Sequence, residues 1–104
     1  MEKDLTLDKI SKSIRISDPN AIAYLFGSRA RGDFKSDSDW DILISIDQPK
    51  VTPEIEDKFR NELYDLELES GQIISAFIYP KKYWEKTLLF SPLYSNVLKE
   101  GVRL

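Results

Sequence analysis

Phe26-Gly27-Ser28-Arg29-Ala30-Arg31-Gly32-Asp33-Phe34-Lys35-Ser36-Asp37-Ser38-Asp39-Trp40-Asp41-Ile42-Leu43-Ile44 is the stretch on which the reading of this chain turns. An apolar run of strand length, Ala21-Ile22-Ala23-Tyr24-Leu25-Phe26, enters it and stops at Gly27. A second run, Trp40 to Ile46, leads out of it and is rich in β-branched residues. Runs of this kind suit strands buried on both faces. Gly27 can adopt positive φ, so the backbone can turn sharply there. Ser28 then stands at the start of a brief helical turn. Unpaired N–H groups and a hydroxyl at such a point suit a phosphate. Arg29 and Arg31 add cationic reach in a shape that matches phosphate, and Gly32 releases the chain.

Asp39 and Asp41 lie two residues apart at the mouth of the second strand, so their carboxylates share a face. Trp40 and Ile42 then point the other way, into the core. Carboxylates this close repel one another unless a cation lies between them, and Mg²⁺, a hard ion that also binds phosphates, is the simplest resolution. A phosphate cradle and a carboxylate pair at adjacent strand ends are the parts that metal-assisted phosphoryl or nucleotidyl transfer needs. Either part alone is commonplace. A Gly-Ser pair is an ordinary turn, an Asp-x-Asp is ordinary surface charge, and the two arginines could simply pair with Asp33 and Asp37. The specificity comes from the order, with each half attached to its own buried strand.

Working outward, Leu7, Ile10 and Ile14 recur at helical spacing and predict a short first helix capped by Asp4 or Thr6. Asp18-Pro19-Asn20 makes a turn. Gln48-Pro49-Lys50 ends the second strand. Pro53 to about Glu69 reads as the clearest helix, with Thr52 as its cap, Gly71 just past its end, and Ile55, Phe59, Leu63 and Leu66 as its buried stripe. Its other faces are acidic: seven carboxylates against Lys58 and Arg60 give residues 53–69 a local charge of −5. A third strand, Ile73 to Tyr79, ends at Pro80. Two short helices close the chain. One holds Tyr83, Trp84 and Leu88. The other is bracketed by Ser91-Pro92 and Gly101. The order α-β-β-α-β-α-α predicts one α/β (α+β) domain over residues 1–104, a small mixed β-sheet of three or more strands flanked by helices.

Composition narrows the chemistry. The 104 residues carry 15 Lys and Arg against 18 Asp and Glu, a net charge of −3, which argues against direct nucleic-acid binding or an anionic membrane. There is no Cys and no His, so thiolate nucleophiles, zinc–thiolate sites, Ser-His-Asp triads and His-ligated metals are excluded. Any chemistry must use carboxylates, hydroxyls, Lys, Arg, or a hard metal held by oxygen. The opening residues, Met1-Glu2-Lys3-Asp4, are charged and no leader-like apolar stretch follows, so a cytoplasmic protein without membrane association is expected. The aromatic residues Tyr83, Trp84 and Tyr94 read as core, with a stacking or partner surface as the alternative. Residues 81–104 are locally basic, at +3.

Gly27-Ser28-x-Ala30-Arg31-Gly32 followed by Ser38-Asp39-x-Asp41 resembles the signature of the DNA polymerase β-like nucleotidyltransferase superfamily. Within it, the chain is similar to the minimal nucleotidyltransferases, small prokaryotic proteins often encoded beside a HEPN-domain partner. The resemblance implies a polymerase β-like fold, ATP as nucleotide donor, and Mg²⁺. It implies that Gly27 and Ser28 hold the triphosphate and that Asp39 and Asp41 hold metal and carry catalysis; Arg29, Arg31 and Ser38, read from the residues themselves, are added as expected nucleotide-binding neighbours. In that family these proteins act as antitoxins, and active members transfer AMP to a tyrosine hydroxyl of the HEPN toxin. One departure stands out. Active members usually carry a third carboxylate on the strand after the long helix, and Ser75 stands at that place. A hydroxyl is a weak Mg²⁺ ligand and a poor base. The expected function is therefore AMP transfer from ATP to a partner protein. The alternative is an antitoxin that binds nucleotide or toxin without transfer. Transfer to a small molecule ranks last, because the acceptor would need a second domain.

Overall fold

The computed structural model describes residues 2–104, with side chains from Leu5 onward. The chain runs α1 (Glu2–Ser17), β1 (Ile22–Phe26), α2 (Ser28–Arg31), β2 (Trp40–Ile46), α3 (Pro53–Ser70), β3 (Ile74–Pro80), a π-helical turn (Tyr83–Thr87), α4 (Pro92–Glu100) and β4 (Val102–Arg103). Local chemistry explains the clearest boundaries. Thr52 Oγ1 accepts the Ile55 N–H at 3.2 Å, Pro53 occupies the first turn, and Gly71 closes α3 at φ 70°, its N–H bonded to the Glu67 carbonyl at 2.8 Å. Ser91 caps α4 in the same way, accepting the Tyr94 N–H at 3.1 Å.

The four strands form one mixed sheet in the order β3-β2-β1-β4. β1 pairs antiparallel with both β2 and β4, while β2 and β3 run parallel, joined by α3 as the crossover. Alternation along the strands divides the sheet into two faces. On one face, Ala23, Leu25, Trp40, Ile42, Ile44, Ile46 and Ile74 pack with Ile10 and Ile14 of α1 and Phe59, Leu63 and Leu66 of α3. On the other, Phe26 and Leu43 pack with Trp84 and Val97, joined by Tyr24, Tyr79 and Tyr94. Trp84 and Tyr94 are core residues, their rings 4.8 Å apart, whereas Tyr83 is exposed.

Two expectations need correction, and the sheet, expected to have three or more strands, has four. The first helix reaches back to Glu2, so Thr6 lies inside it and does not cap it; the side chain of Asp4 falls outside the described residues. The segment of Tyr83 and Trp84 is a π-helical turn, its last bond running from the Leu88 N–H to the Tyr83 carbonyl at 3.1 Å. A fourth strand exists. Val102 and Arg103 pair with Leu25 and Tyr24, and the Leu104 N–H continues the ladder to the Ala23 carbonyl at 2.9 Å. Two residues carry no periodicity, so only pairing with β1 makes them a strand. Among the described residues, no helix is long and apolar enough to cross a membrane.

Candidate active site

The corner between β1 and α2 sits against the start of β2. Phe26 pairs with Asp41 in the sheet, which brings Gly27 beside the Asp41 carboxylate. Gly27 adopts φ 78° and ψ −160°, a conformation essentially restricted to glycine. A Cβ at this position would collide with Asp41 Oδ2. Glycine is therefore required twice, by its own torsions and by its neighbour. α2 is a single turn of four residues, closed by bonds from the Ala30 and Arg31 N–H groups to the Gly27 carbonyl at 3.1 and 3.0 Å. So short a helix has little macrodipole. What the corner offers an anion is the Ser28 hydroxyl and the first N–H groups of the turn, which have no helical acceptor.

The carboxylates project from the edge of β2 on the face opposite Trp40 and Ile42. Parallel pairing sets Ser75 of β3 directly beside Asp41, and the Ser75 hydroxyl donates to Asp39 Oδ2 at 3.2 Å. Ser75 thus adds a neutral hydroxyl beside the two carboxylates. Asp41 is partly buried, and its pKa lies above the ordinary carboxylate value: burial is the main cause, the Asp39 charge raises it further, Arg31 lowers it, and Glu100 adds a smaller upward push. Two carboxylates and a hydroxyl are hard oxygen donors, and the repulsion at Asp41 is the kind a divalent cation relieves. This donor set fits Mg²⁺, with Asp39 and Asp41 as the anionic ligands. Among the described residues, no three Asp, Glu, His or Cys side chains gather at one point.

The two arginines take different positions, and Arg31 makes the pair with Asp33 that the sequence offered as an alternative. Arg29 does not reach into the corner. Its Cζ lies over the rings of Phe34 and Trp40, 4.5 and 4.4 Å from their centroids, and its guanidinium donates to the carbonyls of Ser36 and Ser38. Arg31 donates to Asp33 at 3.2 Å and to Glu100 at 3.0 Å. Glu100 keeps only 15 % of its side-chain surface exposed, so this carboxylate from the end of α4 is the better held partner. Ser38 accepts the Lys35 N–H at 2.8 Å and caps its own loop. The acidic end of α3 stays away from the site: Glu67 accepts the Ile74 N–H at 2.7 Å and Glu69 pairs with Lys9. Sequence reasoning missed the Arg29 clamp and the approach of Glu100. Phe34 and Trp40, flanking the Ser- and Asp-rich loop, were the available signal for the clamp; Glu100 had none.

A family model described as nucleotidyltransferase domain matches residues 7–104. The chain belongs to the nucleotidyltransferase domain family. No curated protein matches it. Two solved structures share the fold of this nucleotidyltransferase. One is a crystal structure of a mutant of the toxin–antitoxin pair MntA–HpeT, with TM-score 0.62 and 21% identity, matching over 93% of this chain and 69% of that one. The other is a crystal structure of a toxin–antitoxin with AMP-PNP, with TM-score 0.64 and 20% identity, over 92% and 69%. The fold implied by the sequence motifs is the fold of the nucleotidyltransferase chain.

Proposed function

We propose that this chain is a Mg²⁺-dependent nucleotidyltransferase that passes AMP from ATP to a hydroxyl of a partner protein, in a cytoplasmic toxin–antitoxin pair with a HEPN-domain toxin. The observation that carries this reading is the contact between the Gly27 corner and Asp41, with Asp39 on the same face. Family membership supports the reaction class. The toxin–antitoxin neighbours, one with AMP-PNP, support the donor and the setting. In this reading the Ser28 hydroxyl and the first N–H groups of α2 hold phosphate oxygens of ATP. Asp39 and Asp41 hold Mg²⁺. When bound, the ion offsets charge on the triphosphate and on the departing pyrophosphate. The acceptor hydroxyl attacks the α-phosphorus, forming the new P–O bond as the bond to pyrophosphate breaks, with the hydroxyl proton passing to solvent and pyrophosphate departing.

The test is incubation with α-labelled ATP, Mg²⁺ and the protein encoded by the adjacent gene. Label is expected in the partner and is lost in Asp39→Ala and in Asp41→Ala. Equal labelling by wild type and both variants overturns the assignment. Ser75 favours a second reading, an antitoxin that binds nucleotide and toxin without transfer. There, calorimetry detects ATP binding and the complex forms, but the partner keeps its unmodified mass. Ser75→Asp then creates transfer where none existed.

A further inference from the structure

Arg29 is the residue after Ser28, yet every polar contact of its guanidinium is to the loop that ends at Asp39. Nη2 donates to the Ser38 carbonyl at 3.0 Å and the Ser36 carbonyl at 3.3 Å, and Nε donates to the Ser38 carbonyl at 3.3 Å. Its Cζ lies over the Phe34 and Trp40 rings, 4.5 and 4.4 Å from their centroids. Among the described residues, no carboxylate pairs with it. The two neighbours of Asp39 are thereby fixed. Ser38 is held through its carbonyl. Trp40 is held through its ring, through its backbone N–H to the Ile73 carbonyl at 2.9 Å, and through its indole N–H to Gln72 Oε1. Asp39 sits between them with its carboxylate free to face Ser75.

We propose that Arg29 is a positioning residue that locks Asp39 against the Ser28 corner, so that the phosphate-holding and metal-holding halves of the site move as one body. The proposal rests on the nucleotidyltransferase reading given above. In this arrangement the Arg29 guanidinium is committed to two carbonyls and two rings rather than to the Ser28 corner. The geometry calls for arginine. A lysine ammonium has no plane to lay against two rings and cannot reach both carbonyls in a fixed fork. Arg29 thus acts on a metal ligand through the backbone, a role whose loss typically weakens metal affinity more than it disturbs the fold.

The test is Arg29→Lys, with Mn²⁺ binding to the AMP-PNP-loaded protein read by electron paramagnetic resonance. The Mn²⁺ dissociation constant is expected to rise by about tenfold or more. Excess Mn²⁺ restores binding, and affinity for AMP-PNP in saturating Mn²⁺ stays close to wild type. Phe34→Leu removes one ring but leaves the three hydrogen bonds, and gives a smaller rise. Unchanged Mn²⁺ affinity in Arg29→Lys overturns the proposal. So does an equal loss of nucleotide and metal that excess Mn²⁺ cannot restore, since that is general disruption. Wild-type Mn²⁺ binding that is indifferent to Asp41→Asn sinks the reading of the site, and the positioning role with it. That pattern is distinct from a normal Arg29→Lys in a protein whose binding does depend on Asp41.

Discussion

Replacing Gly27 with alanine strikes the backbone and the carboxylate of the site together. At φ 78° and ψ −160° a residue with a side chain is held where almost only glycine is found, at a cost of about 1–3 kcal/mol. The new methyl would overlap Asp41 Oδ2 and lie 3.2 Å from Cγ and 3.3 Å from Cβ of the same residue. The far end of that side chain is mobile, so Asp41 gives way by rotating, at a cost of about 1 kcal/mol for an off-rotamer χ. The expected loss is therefore about 2–4 kcal/mol, a large share of the stability of a small domain. The assay is urea unfolding, in EDTA, of wild type, Gly27→Ala, Asp41→Ala and the double variant. In the Asp41→Ala background the overlap disappears and the torsional cost remains, so the cycle should show a coupling of about 1 kcal/mol. A Gly27→Ala protein within about 0.5 kcal/mol of wild type refutes the torsional argument. Identical costs in the two backgrounds show that the Asp41 carboxylate does not lie against Gly27.

The other predictions concern charge and packing. Because the folded pKa of Asp41 is raised, the folded state holds this proton more tightly than the unfolded chain, and stability falls as pH climbs through the window above 3.8, the ordinary Asp value. Asp41→Asn without metal should therefore melt higher than wild type at pH 7 and lose that advantage below pH 3.8; parallel melting at all pH values contradicts this. Ser75→Asp sets a third negative charge beside Asp39 and should destabilise the metal-free protein by about 1 kcal/mol, with Mg²⁺ recovering more than it adds to wild type. Equal recovery by Mg²⁺ in both proteins would show that position 75 lies outside the metal's reach. Phe59 is 1% exposed at the centre of the first core, and Phe59→Ala should cost about 3–5 kcal/mol in urea unfolding. A loss under about 1 kcal/mol would place it outside the core.

What the chain disclosed before folding followed the range of the forces involved. The bounds of β2 and α3 were legible because they depend on neighbours in sequence: a β-branched run for one, Thr52-Pro53 and Gly71 for the other. The shared face of Asp39 and Asp41 was legible for the same reason, since strand alternation is a local rule. β4 was not, because Val102 and Arg103 become a strand only through β1. Nor was the destination of the arginines. Charge alone cannot say whether a guanidinium faces a phosphate, two aromatic rings or a distant carboxylate, and the partner of Arg31 in α4 lies 69 residues away. The sequence placed a serine where a third acid was expected; only the sheet register set it beside Asp41, with its hydroxyl on Asp39.

The antiparallel pairing of β1 with β2 has a consequence for substitution. In the proposed reading the corner and the two carboxylates that serve the donor lie in residues 27–41, on two antiparallel neighbours. Ser75 belongs to β3, which is delivered separately by the long crossover. On that reading a substitution at position 75 can change what β3 presents to the site without rebuilding the hairpin that carries Gly27, Asp39 and Asp41.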